Sequence, residues 1–199
     1  MKKNIVILGS TGSIGTETIN LIKKDKKNFN IKLLSTNTNI KKIYNQAKLF
    51  KVKNIIINDF KSYKKAKELY KNNPIKIHHS FSVIDKLFKK KNIFYSIVSV
   101  VGLDGLDPSL RLIKYSKNIA IINKESLICG WNLISKKLTK FKTNFFPLDS
   151  EHFSIFSLVG NLKPKNVDKI FITASGGPFL NYTKSRLLKA NVKQALKHP

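Results

Sequence analysis

The sequence is poor in cysteine, since Cys129 is the only one among its 199 residues. A single cysteine excludes an intrachain disulfide and favours a reducing, cytoplasmic location, so we expect Cys129 to be a packing residue. The chain also lacks any run of about 18 apolar residues, the length that a membrane-spanning helix needs. Its first apolar run, Ile5–Leu8, is too short for the core of a signal peptide. These absences predict a cytoplasmic protein with no membrane partner.

Acidic residues are scarce as well: 11 Asp and Glu stand against 38 Lys and Arg, giving a formal net charge of +27. Such a charge is typical of nucleic-acid-binding proteins. All but two of the basic residues are lysines, however, and the arginines that favour bidentate guanine contacts are only Arg111 and Arg186. The lysines are also scattered over the predicted helices. We favour a compositional bias toward Lys, Asn and Ile and expect no specific nucleic-acid partner, with a basic nucleic-acid binder as an alternative.

Short runs rich in β-branched residues alternate with longer amphipathic stretches over the first three quarters of the chain. This alternation predicts a Rossmann-like, doubly wound parallel sheet of the α/β class, with helices on both faces. The predicted strands are Asn4–Leu8, Ile31–Ser35, Asn54–Ile57, Ile75–His78, Ile93–Val100, Ile119–Ile122 and Thr143–Phe146. The predicted helices are Ile14–Lys24, Ile40–Phe50, Tyr63–Tyr70, Val83–Lys90, Leu106–Tyr115 and Ser126–Lys140.

The pattern changes after Pro147. A helical stretch near Glu151–Val159 is followed by a predicted strand at Lys169–Thr173 and a loop at Ala174–Phe179. We therefore predict a first domain over residues 1–147 and the start of an incomplete α+β domain over residues 148–199. The second segment is short for an independent hydrophobic core.

A glycine-rich turn, Gly9–Gly15 with the sequence GSTGSIG, follows the first predicted strand and leads into a helix. Glycines at this place let the backbone approach a pyrophosphate, whose charge is stabilised by the N–H groups at the helix N-terminus. The alternative is a plain turn in which Ser13 caps the helix.

The end of the second predicted strand, Ser35–Asn39, contains no acidic residue, and Lys41 and Lys42 follow it. A site specific for NAD usually has an acidic residue there, bound to the ribose 2′-OH. The sequence therefore favours NADP over NAD.

Two further polar segments follow predicted strands. Asn123–Ser126 comes at the carboxyl end of the strand Ile119–Ile122, where ligands bind in parallel sheets, although Asn123 could simply cap a helix. Asp149 and Glu151 would point to the same side of an extended backbone, and two carboxylates suit Mg²⁺ or Mn²⁺. A helix cap is again the alternative.

A loop of small residues at Thr173–Phe179 includes Ser175 and two glycines. Such a loop permits close backbone approach and could hold an anion through Ser175 and neighbouring N–H groups. A plain turn explains it equally well.

Four blocks of the sequence, GSTGSIG, NKES, PLDSEH and SGGPF, occur in this order from one end of the chain to the other. In this combination the chain closely resembles the 1-deoxy-D-xylulose 5-phosphate reductoisomerase family. The resemblance implies an enzyme that uses NADPH and a divalent metal in the non-mevalonate isoprenoid pathway. It implies a rearrangement of the phosphorylated sugar substrate followed by hydride transfer, giving 2-C-methyl-D-erythritol 4-phosphate, and a homodimer at full length.

The resemblance also implies a role for individual residues. Lys124 and Glu151 would be catalytic. The implied cofactor-binding residues are Thr11, Gly12, Ser13, Ile14, Asn37, Thr38, Asn39, Asn123 and Glu125. The implied substrate-binding residues are Lys124, Ser150, Glu151, Ser175 and His198, and the implied metal ligands are Asp149 and Glu151.

The chain departs from the family pattern in two respects. The usual Gly-Lys-Asn after the second strand is replaced by Asn37-Thr38-Asn39, which removes the lysine expected near the 2′-phosphate. The chain also stops at Pro199, before the third metal carboxylate and the C-terminal helical domain that the resemblance implies. We therefore expect weak or no activity from this chain alone, and an NADPH-binding remnant without catalysis is the alternative.

Overall fold

The computed structural model describes residues 2–160, 162, 164–173 and 176–197. Strands and helices alternate over most of this range. The strands are β1 (Lys3–Leu8), β2 (Phe29–Thr36), β3 (Asn54–Ile57), β4 (Lys76–His78), β5 (Ile93–Val98), β6 (Ser116–Ile121) and β7 (Asn144–Pro147). The helices are α1 (Ser13–Lys24), α2 (Ile40–Phe50), α3 (Phe60–Leu69), α4 (Val83–Leu87), α5 (Leu106–Ile113), α6 (Lys124–Phe141), α7 (Ser150–Val159), α8 (Lys184–Leu187) and α9 (Val192–Ala195).

The seven strands form one sheet in the order β4-β3-β2-β1-β5-β6-β7, and each pair of neighbouring strands is parallel. The prediction of a doubly wound parallel sheet is confirmed. The chain builds outward from β1 to β4 and then returns to place β5 on the other side of β1. The crevice beyond the carboxyl ends of β1 and β5 is the switch point at which ligands bind in such sheets.

The sheet is buried on both faces, which is why its strands are continuous apolar runs. Side chains alternate along β1, so Ile5 and Ile7 belong to one hydrophobic cluster while Val6 and Leu8 belong to the other. The first cluster includes side chains from α1, α2 and α3, and the second includes side chains from α4, α5 and α6. The two clusters together fix which face of the sheet each helix covers.

Short polar side chains decide where several helices begin. Asp59 accepts a hydrogen bond of 2.7 Å from the Ser62 amide, so α3 begins at Phe60 rather than at Tyr63 as predicted. Asn39 caps α2 in the same way, through the Lys42 amide at 3.1 Å. No helix among the described residues is long and apolar enough to cross a membrane.

The chain divides into two compact units, Met1–Phe153 and Ser154–Pro199. The boundary falls within α7, and the predicted division at residues 147 and 148 stays a prediction. The described part of the second unit contains α8, α9 and single turns of 3-10 helix at Pro164–Asn166 and Gly177–Phe179. The predicted strand at Lys169–Thr173 is wrong, because these residues have no strand partner among those described.

The packing of α1 on β1 leads to a prediction about Gly15, which is buried. A Cβ atom at this position would lie 2.2 Å from the Gly9 carbonyl oxygen and 2.6 Å from the Ser10 Cα. Both contacts are with backbone, so we expect Gly15→Ala to lower the free energy of unfolding by about 2–3 kcal/mol. Urea denaturation followed by circular dichroism measures this loss.

Gly12→Ala is the matched control, since a Cβ at Gly12 meets only the Gly9 oxygen at 3.5 Å. We expect it to cost less than about 1 kcal/mol. Equal losses for the two variants would contradict a steric role specific to Gly15.

Candidate functional site

The glycine-rich turn joins β1 to α1 at the switch point of the sheet. Gly9 has a φ of +77°, and a Cβ there would meet the Ser99 carbonyl oxygen at 2.4 Å. Gly12 is the N-cap of α1 and Ser13 its first residue, and no side chain caps the helix. The alternative in which Ser13 serves as the cap is therefore wrong. The N-terminal amides of α1 face a position that suits an anion.

Polar side chains beneath the turn hold its backbone in place. Ser35, at the end of β2, accepts a hydrogen bond of 2.8 Å from the Gly9 amide through its hydroxyl, and its carbonyl accepts one of 2.9 Å from Ser10. The Gln46 side chain donates to the Ser10 carbonyl at 2.8 Å. The hydroxyls of Thr11 and Thr36 lie 2.6 Å apart. Sequence reasoning did not assign roles to Ser35 and Gln46, although both are polar residues within otherwise apolar elements.

Two grooves open on either side of this turn and share Gly12, Ser99, Val100 and Val101. The first encloses about 250 Å³ toward the end of β2, and the second about 270 Å³ toward the start of α6. The first groove is also lined by Gly9, Thr11, Ser35, Thr36, Asn37, Asn58, Phe81 and Asp104. The second is also lined by Ser13, Ile14, Gly15, Gly102, Ile122, Asn123, Lys124 and Glu125.

Most of the predicted cofactor-binding residues thus line one of the two grooves. Thr38 and Asn39 line neither, and the Asn39 side chain caps α2. The two grooves adjoin at the turn and together form a crevice along the carboxyl edge of β2, β1 and β5, which suits an extended ligand with a central pyrophosphate.

Asn123 is only 8% exposed and uses both ends of its amide within the protein. Its Oδ1 accepts from the Ser126 amide at 3.0 Å, which caps α6, and its Nδ2 donates to the Val100 carbonyl at 2.6 Å. The capping interpretation of Asn123 is confirmed. The cap also joins the start of α6 to the loop after β5, and so fixes one wall of the second groove.

The pattern of the sequence predicted that Asp149 and Glu151 lie on extended backbone. This prediction is wrong. Glu151 lies in the first turn of α7, and Asp149 precedes that helix. Asp149 is 6% exposed and accepts a hydrogen bond of 3.0 Å from the His152 amide, so Asp149 caps α7. The His152 Nδ1 lies 2.8 Å from both carboxylate oxygens of Asp149.

Lys124 and Glu151 meet across the gap between α6 and α7. The Lys124 Nζ lies 3.1 Å from both carboxylate oxygens of Glu151, and the Ser150 hydroxyl donates to the same carboxylate at 2.9 Å. The pKa of Glu151 is lowered to about 2, first by a hydrogen bond from its own backbone N–H, then by Ser150 and Lys124. The structure thus brings three of the predicted substrate-binding residues together.

The remaining parts of the predicted site are not all observed. Ser175 and His198 lie outside the described residues. Within the described part of the chain, no group of three His, Cys, Asp or Glu side chains could hold a metal ion. Cys129 is exposed, so its predicted packing role is wrong, because it falls on the outer face of α6.

The sequence matches two family profiles. Residues 5–130 match the profile of 1-deoxy-D-xylulose 5-phosphate reductoisomerase, and residues 145–199 match that of the 1-deoxy-D-xylulose 5-phosphate reductoisomerase C-terminal domain. The reductoisomerase of Pelagibacter ubique strain HTCC1062 is 52% identical over 198 residues, covering 99% of this chain and 51% of that protein. That of Clostridium tetani is 39% identical over 200 residues, covering 99% and 52%. The chain therefore spans about half the length of the curated relatives it matches.

Solved structures of 1-deoxy-D-xylulose 5-phosphate reductoisomerases are also similar to this chain. The reductoisomerase of Zymomonas mobilis in complex with NADPH has a TM-score of 0.85 at 28% identity, covering all of this chain and 52% of that one. A reductoisomerase in complex with NADPH, fosmidomycin and magnesium has a TM-score of 0.79 at 25% identity, covering 99% and 51%. The resemblance found in the four sequence blocks is confirmed.

The contacts of Glu151 predict its titration. In metal-free buffer, we expect Lys124→Met to raise the pKa of Glu151 from about 2 part of the way toward 4.5, since the Glu151 amide and Ser150 bonds remain. Because folding lowers this pKa, the carboxylate favours the folded state above pH 4.5, and that contribution is lost as the pH falls toward 2. Carboxyl ¹³C NMR measures the pKa.

Lys136→Met is the matched control, because Lys136 lies about 18 Å farther along α6 and carries the same charge. It should leave the Glu151 pKa unchanged. An unchanged pKa in Lys124→Met would show that the ion pair with Lys124 is absent in solution.

Proposed function

The chain belongs to the 1-deoxy-D-xylulose 5-phosphate reductoisomerase family, and we propose that it supplies the cofactor-binding half of such an enzyme. The complete enzyme would convert 1-deoxy-D-xylulose 5-phosphate to 2-C-methyl-D-erythritol 4-phosphate with NADPH and Mg²⁺ or Mn²⁺. One observation carries the proposal: the crevice at the switch point runs from the end of β2, past the glycine-rich turn, to Lys124. Cofactor and substrate residues implied by the family thus share one edge of the sheet.

The residues around the turn fit a dinucleotide. Gly9 and Gly15 have no space for a Cβ, whereas Gly12 faces a groove, so the backbone presents its amides directly to a ligand. We propose that Thr11, Gly12, Ser13 and Ile14 bind the pyrophosphate. Asn37, Thr38 and Asn39 would bind the adenosine end, and Asn123 and Glu125 the nicotinamide end. When bound, NADPH supplies the hydride, and the protein orients its ring.

The carboxylates of Asp149 and Glu151 suit a hard divalent cation, which prefers oxygen ligands. We propose that both coordinate the metal, which polarises substrate oxygens when it is bound. Lys124 already lies against Glu151 and would place a positive charge beside the substrate. Lys124 and Glu151 are thus the proposed catalytic residues, and Ser150, Ser175 and His198 would contact the substrate.

An NADPH-binding protein without turnover is the second candidate for this chain by itself. In the described part of residues 154–197, neither α8 nor α9 contains a buried residue. Catalysis of this kind needs a closed site, because misplacement by about 1 Å costs on the order of 10²-fold in rate. We therefore propose that turnover requires the half of the enzyme that the relatives possess beyond the matched region.

Two further properties belong to the proposal. The family resemblance supports a homodimer for the completed enzyme, and light scattering would measure it. The presence of one cysteine in 199 residues supports a cytoplasmic location, because a reducing compartment keeps thiols free.

Gly12→Asp separates cofactor binding from folding. An Asp is a favourable N-cap and stabilises the helix dipole, so the thermal midpoint should stay the same or rise. Its carboxylate would nevertheless repel the pyrophosphate, so we expect NADPH affinity to fall at least about tenfold. Calorimetric titration measures the affinity, with Gly12→Ala as the uncharged control. Full NADPH affinity in Gly12→Asp would contradict the proposed site.

The proposed reaction is tested by fusing this chain to the C-terminal half of the Pelagibacter relative. We expect substrate-dependent NADPH oxidation from the fusion but none from the 199-residue chain. In the fusion, Asp149→Asn keeps a capping side chain but removes the charge, so it should fold while losing at least about tenfold in Mn²⁺ affinity. Unchanged Mn²⁺ affinity, read by electron paramagnetic resonance, would exclude Asp149 as a ligand.

A further inference from the structure

Lys42 is held against the glycine-rich turn from the neighbouring βα unit. It lies in the first turn of α2 and is half-buried, and its Nζ donates a hydrogen bond of 2.9 Å to the Thr11 carbonyl. The two residues are 31 positions apart in the sequence. An ammonium group has three donors, and the Thr11 carbonyl accepts one of them. The bond therefore fixes a positive charge beside the turn while leaving the ammonium able to donate further.

Lys42 itself lines a separate groove between α1 and α2. Thr11, which accepts its hydrogen bond, lines the first groove, at the end of the crevice where the adenosine ribose lies in sheets of this type. Thr11, Thr36 and Asn37 line it, and the Thr11 hydroxyl lies 2.6 Å from that of Thr36. The Thr36 hydroxyl also accepts a hydrogen bond of 3.3 Å from the Asn39 amide. Thr11 thus contacts the end of β2 through its side chain and Lys42 through its backbone, so the ammonium lies against the backbone of a residue that lines the first groove.

No carboxylate from the end of β2 would repel a phosphate at the ribose position, because Ser35–Asn39 contains no acidic residue. Asp59 comes close through its backbone, whose amide donates to the Asn37 carbonyl at 3.2 Å. Its carboxylate, however, accepts from the Ser62 amide at 2.7 Å and caps α3. Asp104 lines the same groove, but from the loop after β5 rather than from the end of β2. No acidic side chain from the end of β2 therefore offsets the charge of the Lys42 ammonium.

We propose that Lys42 is the residue that makes this protein prefer NADPH to NADH, through a charge-assisted hydrogen bond to the 2′-phosphate. This inference rests on the proposed function. A lysine binds phosphate as a point charge, so its position in the chain matters less than where its ammonium is held.

The test measures dissociation constants for NADPH and NADH with the 199-residue chain by calorimetry. We expect wild type to bind NADPH more tightly. Lys42→Met should weaken NADPH binding about tenfold and change NADH binding less than about twofold, because only NADPH carries the 2′-phosphate. Lys42→Arg should retain the preference. Lys42→Met should likewise weaken the binding of adenosine 2′,5′-bisphosphate, which carries the 2′-phosphate, more than that of adenosine 5′-monophosphate, which lacks it.

Lys41→Met is the matched control, since Lys41 is the exposed neighbour on α2 and carries the same charge. It should leave the ratio of the two affinities unchanged. If Lys42→Met weakened both cofactors equally, Lys42 would only hold the turn in place, and the inference would be overturned. The inference would also be overturned if Lys41→Met weakened NADPH binding as much as Lys42→Met does. The preference for NADPH would then come from the summed charge of the surface lysines.

The outcomes also separate this inference from the proposed function. If wild type bound NADPH preferentially and Lys42→Met kept that preference, the specificity role would fail while the function stood. If wild type bound neither cofactor, both would fail. Equal thermal midpoints for all variants would show that the differences do not come from unfolding.

Discussion

The helix α1 crosses the end of β1 so closely that no Cβ fits between them. At Gly15 a Cβ would fall 2.2 Å from the Gly9 oxygen, and at Gly9 it would fall 2.4 Å from the Ser99 oxygen. This close approach brings β1, β5 and the N-terminus of α1 to one point, and both grooves border it. Had the helix been held away by side chains, its amides would lie too far from the crevice to bind an anion.

Helix caps at this edge of the sheet also shape the proposed site. Asn123 caps α6 and ties it to Val100, which sets one wall of the second groove. Asp149 caps α7 and thereby places Glu151 in the first helical turn, within reach of Lys124. A polar side chain that begins a helix at the carboxyl end of a parallel strand lies at the edge of the sheet where ligands bind. The structural and functional interpretations of these residues are therefore compatible.

The net charge of +27 gives little information about individual lysines. Most are exposed, where long-range attraction is screened by salt within about 10 Å. Lys42 and Lys124 are each held by a specific bond, to the Thr11 carbonyl and to the Glu151 carboxylate, and Lys91 and Lys137 are held in the same way by backbone carbonyls away from the crevice. A fixed ammonium can recognise one phosphate or one carboxylate, whereas a mobile one contributes only to the general field.

The sequence by itself determined the order of strands and helices, the parallel sheet and the glycine-rich turn. These follow from local pattern, because each element must bury a face with its own periodicity and each turn depends on its own residues. The tertiary structure alone decided that Lys42 reaches Thr11, 31 positions away, and that Lys124 reaches Glu151, 27 positions away. It also decided that Asp149 caps α7, that Cys129 is exposed, and that Lys169–Thr173 is not a strand. Such outcomes depend on which distant segments lie opposite one another, and local periodicity carries no information about that.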